Sequence, residues 1–135
     1  MSYLKRGIVV FLIFLGLSWT VHREVRKLRH EHRVRSMLLV IQEGLQRYHV
    51  DQEKYIPRVT LTGSELIRVL LDFEFLTEVP LNPWTGQAWA LDNDEPDHLR
   101  YQTDPQFETY ALRALVPNSD EILLEIDSVH HLSLE

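Results

Sequence analysis

From Gly7 to Val21 the chain runs fifteen residues without a charge. As a helix this stretch covers roughly 22 Å, short of the roughly 30 Å hydrocarbon core of a bilayer. Two readings compete for it. One is a secretory signal peptide cleaved before Trp19, with Gly16 and Ser18 as the small residues. The other is a retained anchor in thinned bilayer, with Ile8, Phe11, Phe14, Leu17 and Trp19 as its membrane positions. The retained anchor is favoured, because the residues from His22 to Arg35 hold no Gly or Pro and continue the helix. Val34, Leu38, Ile41, Leu45 and Tyr48 then recur at spacings of four and three, one apolar stripe of a helix reaching about Val50.

A capping box, Thr62-Gly63-Ser64-Glu65, opens a second short helix that is expected to stop near Leu76, with Leu66, Ile67, Leu70, Leu71 and Phe73 as its apolar face. The Pro- and Gly-rich run Val79–Gly86 reads as a loop. Beyond it the period falls to two. Short strands are expected to start at Ala88/Ala90 and at Leu99/Tyr101, with longer ones at Phe107–Leu115 and Glu121–Asp127, the last two separated by the turn Pro117–Asp120. Successive strands with short turns predict an antiparallel meander packed on the amphipathic half of the long helix. The fold class is therefore α+β: a long N-terminal helix, a small antiparallel sheet and a short second helix. The expected division is 1–33, membrane anchor and basic juxtamembrane helix, and 34–135, globular head.

Charge sharpens that division. Residues 1–36 carry eight Lys/Arg against two Asp/Glu, and residues 37–135 carry six against eighteen. An acidic body argues against nucleic acid as a partner. A basic helix flanking an apolar run suits anionic headgroups, and a solvated helix face is the plainer alternative. That flank is richer than Lys5 and Arg6, so charge alone favours a cytoplasmic C-terminal side. The absence of cysteine removes disulfides, thiolate nucleophiles and Cys-based zinc sites.

The order of elements and two short motifs resemble the type IV pilin family, closest to the major pseudopilin of type II secretion systems. The first motif is Leu45–Pro57, in which Tyr48, Asp51, Tyr55 and Pro57 stand where the family has its end-of-helix pattern. The second is Val79–Gln87, where Pro80, Pro83, Trp84 and Gly86 are similar to the Pro-x-Asn-Pro-Trp loop. The resemblance covers about residues 34–115. It implies a structural or accessory subunit, not an enzyme, in a bacterial inner membrane with a periplasmic head, and the lipid bilayer and other pilin-like or secretion-system subunits as partners. The start departs from the pattern: Ile8 follows the Lys5-Arg6-Gly7 leader, and Leu12 stands where the family has the Glu that registers a new subunit in the filament.

The family also holds calcium in a loop of the head. Asp92, Asp94, Glu95 and Asp97 are the densest acidic cluster here, but Asp97 and Thr103 stand where an EF-hand loop needs Gly and Glu. The family's calcium loop lies nearer the C-terminus, and its counterpart, Pro117–Asp120, is too short to match. A solvated acidic loop is the preferred reading, with no cofactor. His30 and His32 point about 200° apart on a helix and cannot share an ion. Trp84, Trp89, Tyr101 and Tyr110 read as packing residues. No nucleophile elbow, phosphate loop or His-Glu-x-x-His run is present.

Overall fold

A computed structural model describes residues 2–92 and 98–129. The chain divides into two compact units, Met1–Arg33 and Val34–Glu135. Helix α1 spans Ser2–Gln52, and strand β1, Thr60–Thr62, runs directly into helix α2, Gly63–Asp72. Strands β2 (Leu99–Thr103), β3 (Tyr110–Leu115) and β4 (Ile122–Asp127) complete the second unit. The four strands form one antiparallel sheet in the order β1-β2-β3-β4, a meander.

The predicted stripe of α1 forms the helical half of the core. Val34, Leu38, Ile41 and Leu45 have no exposed surface, and Tyr48 is buried beside them. The sheet answers with a row of facing residues, Leu61, Tyr101, Leu112 and Ile126, aligned strand by strand and all buried. Strand side chains alternate, so one register places this whole row on one face. Stripe and row belong to a single apolar cluster with Leu66, Ile67 and Leu70 of α2.

The N-cap of the capping box forms: Thr62 Oγ1 accepts from Glu65 N at 3.4 Å, and Glu65 Oε1 turns back to accept from the Thr62 hydroxyl at 3.0 Å. Three expectations need correction. Helix α2 stops at Asp72, not near Leu76. Glu74 takes a left-handed φ of 62°, Phe75 N donates to Leu70 O and Glu74 N to Leu71 O, which is a Schellman ending. Phe73 therefore falls outside the helix and is half exposed, while Leu76 turns back over Gly44 and is buried. The strand at Ala88/Ala90 reduces to one bridge, Leu81 to Ala88. Burial here belongs to Trp89, between two exposed alanines. Strand β3 begins at Tyr110, not Phe107, because Asp104 ties residues 106–109 into a turn and Phe107 takes a φ of 58°. Strand β1, Thr60–Thr62, was not foreseen: three residues are too few for a period to show.

Candidate functional site

In the first unit the described apolar side chains are exposed. Leu12, Ile13, Leu15 and Leu17 each keep more than half of their surface accessible. At about 100° per residue these four positions span about 200° of the helix circumference, and the run Gly7–Val21 that holds them carries no charge. Among the described residues no helix is long and apolar enough to cross a membrane. Ile8, Phe11, Phe14 and Trp19 lie within α1.

The motif residues of the head fall into two groups. Tyr48 and Tyr55 bracket the C-terminal end of α1. Tyr48 meets Phe73 and Phe75 edge-on at centroid distances of 5.4 and 5.7 Å. Tyr55 meets Tyr110 edge-on at 4.8 Å and lies against the His49 ring at 4.5 Å. Its amide donates to Phe107 O at 2.8 Å, joining the segment after α1 to the turn before β3. Asp51 is exposed and accepts from Gln52 Nε2, and Pro57 is exposed. Burial raises the phenols of Tyr48 and Tyr55 above the usual tyrosine range. Tyr101 is raised furthest by burial, although its hydroxyl donates to Ile56 O. Burial pushes Tyr110 up to about 12, with Gln42 acting in the opposite direction. These phenols are neutral structural groups, not acid–base groups for chemistry near neutral pH.

The second group is the loop from Pro80 to Trp89, which closes on itself. Trp89 N donates to Pro80 O, Asn82 N to Gln87 O and Gly86 N to Asn82 O. Asn82 Oδ1 also accepts from Trp84 N at 2.9 Å, an Asx turn. Gly86 has a φ of 73°, which a side chain would strain. Pro80 and Pro83 are buried. Trp84 is half-buried and meets Trp89 and His98 edge-on at 6.1 and 5.3 Å. Trp84→Ala is expected to cost about 1–3 kcal/mol, less than a fully buried tryptophan. A shift of the urea midpoint, followed by circular dichroism, measures it; an unchanged midpoint would remove this contact from the account of stability.

Of the acidic cluster, Asp92 lies 3.6 Å from Arg68 in an exposed ion pair, and Asp94, Glu95 and Asp97 lie outside the described residues. Among the described residues no three His, Cys, Asp or Glu side chains gather to hold a metal ion. The turn at Pro117–Asp120 closes instead on backbone bonds, Val116 N to Glu121 O at 2.9 Å and Ser119 N to Val116 O at 3.1 Å. Its residues do not fit a calcium ion, which wants six to eight oxygens.

One organising residue escaped the sequence reading. Asp104 Oδ1 accepts from Thr109 N at 2.7 Å, Glu108 N at 2.8 Å and Thr109 Oγ1 at 3.1 Å, and Oδ2 accepts from Gln106 N at 3.1 Å. The available signal was the dipeptide Asp104-Pro105, a turn starter. The Thr109 amide bond chiefly, then the Thr109 hydroxyl and the Gln106 and Glu108 amides, hold its carboxyl below the ordinary aspartate value. A depressed folded-state pKa contributes stability that is complete above the unfolded value and is lost as pH falls through the folded one. The melting temperature of the native chain should therefore exceed that of Asp104→Asn at neutral pH. The gap should close as pH drops below the ordinary aspartate range. A gap that stays constant with pH would show that the charge on Asp104 does not matter.

No family model, no curated protein and no solved structure matches this chain. The geometry therefore carries the functional reading by itself, and what it offers are surfaces: an apolar helix segment in one unit and a closed, acidic head in the other.

Proposed function

We propose that the chain is a membrane-anchored, pilin-like structural or accessory subunit of a type II secretion or type IV pilus system, with its head on the periplasmic side of a bacterial inner membrane. The observation that carries this reading is the contrast in how α1 treats its apolar residues. Val34, Leu38, Ile41, Leu45 and Tyr48 form one stripe and are buried within the head, while Val40, outside the stripe, is exposed. Leu12, Ile13, Leu15 and Leu17 are exposed, and the fifteen-residue run Gly7–Val21 that holds them carries no charge on any side. A helix that is apolar all round is at rest only in lipid or among other helices. Tyr48 and Tyr55 of the first motif and Pro80, Pro83 and Trp84 of the second are packed into the head, as a structural module requires, while Asp51, Pro57 and Gly86 are exposed. The partners are then the bilayer and other pilin-like or secretion-system subunits, and the acidic head disfavours nucleic acid.

The N-terminal residue of the protein recovered from membranes tests the reading. Ile8 means processing by a leader peptidase, and Met1 or Ser2 means a permanent anchor; both are consistent with it. Trp19, with the protein in the soluble fraction, would overturn it. The charge around the apolar run pulls toward the opposite topology. Protease added to spheroplasts should digest the head, and a protected head would overturn the periplasmic placement.

A second reading is a single-pass adaptor whose head is pilin-like but which never polymerises. Leu12 favours it. This side chain is apolar and exposed where the family's registering carboxylate would stand, and a leucine cannot form the ion pair that sets subunit register. Electron microscopy of the purified chain is expected to show no long homopolymeric filaments. Such filaments would return the protein to an ordinary major-subunit role.

A further inference from the structure

The charges between Val21 and Ser36 are sorted around the helix. At about 100° per residue, Arg23, Arg26, Arg29 and Arg33 fall within about 120° of arc. His22 and His30 fall in the same arc. Glu24 and Glu31, the acids of this stretch, lie on another side together with Arg35. Neighbours on a helix surface stand three or four positions apart. Lys27 has Glu24 at i−3 and Glu31 at i+4, and Arg35 has Glu31 at i−4. None of the four arginines has an Asp or Glu three or four positions away in either direction; each has another arginine there instead. The helix thus has a compensated side and a side of arginines that repel one another. Like charges at these spacings destabilise a helix, so an anion on that face would relieve a cost that the segment's own acids do not. Arg29 and Arg33 are exposed.

We propose that Arg23, Arg26, Arg29 and Arg33 form a face that holds the phosphate groups of anionic phospholipids at the membrane surface. The residue type points to phosphate: the guanidinium fork matches its oxygens two at a time, which a lysine does not. The place points to lipid: Arg23 comes two residues after the apolar run ends. In the membrane-anchored reading, on which this inference rests, the first turn of the face stands at headgroup depth. Arg29 follows within about 9 Å along the axis, close to the Debye length at physiological salt. An apolar run too short for an ordinary span gains a second hold from such a face, since single weak membrane signals anchor poorly and paired ones anchor firmly.

The test uses the full chain inserted into vesicles of phosphatidylcholine alone or of equal parts phosphatidylcholine and phosphatidylglycerol. Flotation reports the anchor. The lipids that stay bound on extraction into mild detergent, read by native mass spectrometry, report the face. Each Arg near an anionic surface gives roughly a five-fold gain in binding. The ratio of phosphatidylglycerol to phosphatidylcholine in the retained lipid should therefore exceed the input ratio about five-fold or more, and less so at high salt. Arg26→Gln, Arg29→Gln and Arg33→Gln together should bring the ratio back to input. Lys27→Gln, Arg35→Gln and Arg47→Gln, which remove the same charge from elsewhere, should leave the enrichment in place. Circular dichroism of both triple variants checks that the helix persists. A chain that floats with both vesicles yet retains lipid at the input ratio overturns the face and leaves the anchor standing. A chain that floats only with phosphatidylglycerol vesicles overturns the anchor and supports the face. Equal losses in both triple variants would show net charge at work and overturn it. So would a cross-link between two chains lost with the arginines while the lipid ratio stays at input, which would assign the face to an acidic protein surface.

Discussion

Trp89→Ala should lower the stability of the head by about 3–5 kcal/mol, the usual cost of emptying a buried tryptophan site. Trp89 retains only 4% of its surface, although both neighbours, Ala88 and Ala90, are exposed. Its backbone amide closes the Pro80 loop, and its ring meets Trp84 edge-on. It also packs against the first turn of α2, where Gly63 leaves room for it. The cavity would thus open at the meeting of loop, helix and sheet. A domain of this size has about 5–15 kcal/mol in total, so the variant should be close to unfolded at moderate urea. The urea midpoint followed by circular dichroism is the measurement. A midpoint within experimental error of the native chain would mean that the loop is not anchored through Trp89.

Gly63→Ala is the second large effect, at about 1–3 kcal/mol. On an exposed helix this change stabilises, because glycine is a poor helix former. Here the sign reverses. A Cβ at this position would lie 2.7 Å from Trp89 Cζ2 and 2.8 Å from Leu99 Cβ. The indole could shift, but Leu99 Cβ is fixed to strand β2 and moves only with its backbone. Combining Gly63→Ala with Trp89→Ala removes the first clash and keeps the second. The double variant should therefore cost less than the two single costs added together. Strict additivity would show that the two residues do not meet.

The elements that could be read from the sequence share one physical feature: their signal is local and repeats. The stripe from Val34 to Tyr48 extends over four turns of helix. The capping box states a helix start in four letters. The alternation over Phe107–Leu115 marks a strand there, of which Tyr110–Leu115 forms, and the turn at Pro117–Asp120 needs no distant partner. The antiparallel meander followed from these short connections. The division of charge between residues 1–36 and the rest, and the arginine face within it, are also fixed by order along the chain, because a helix converts spacing into direction.

What tertiary structure decided lay where a residue's role depends on something far off in sequence. Strand β1 has three residues and exists because β2 offers it a partner. Helix α2 ends at Asp72 because Glu74 adopts a left-handed backbone, which lets Leu76 reach the core over Gly44; the apolar letters alone ran on to Leu76. Trp89, not its alanine neighbours, carries the burial of its segment, since Gly63 makes room for an indole from 26 residues away. Asp104 became the organiser of the turn before β3 only once four donors converged on its carboxylate. A pattern in sequence reports which way a side chain faces along its own element. Which distant backbone or ring it meets there is set by the closure of the chain on itself, and that closure placed Tyr55 against Tyr110 and shut the Pro80 loop over the core.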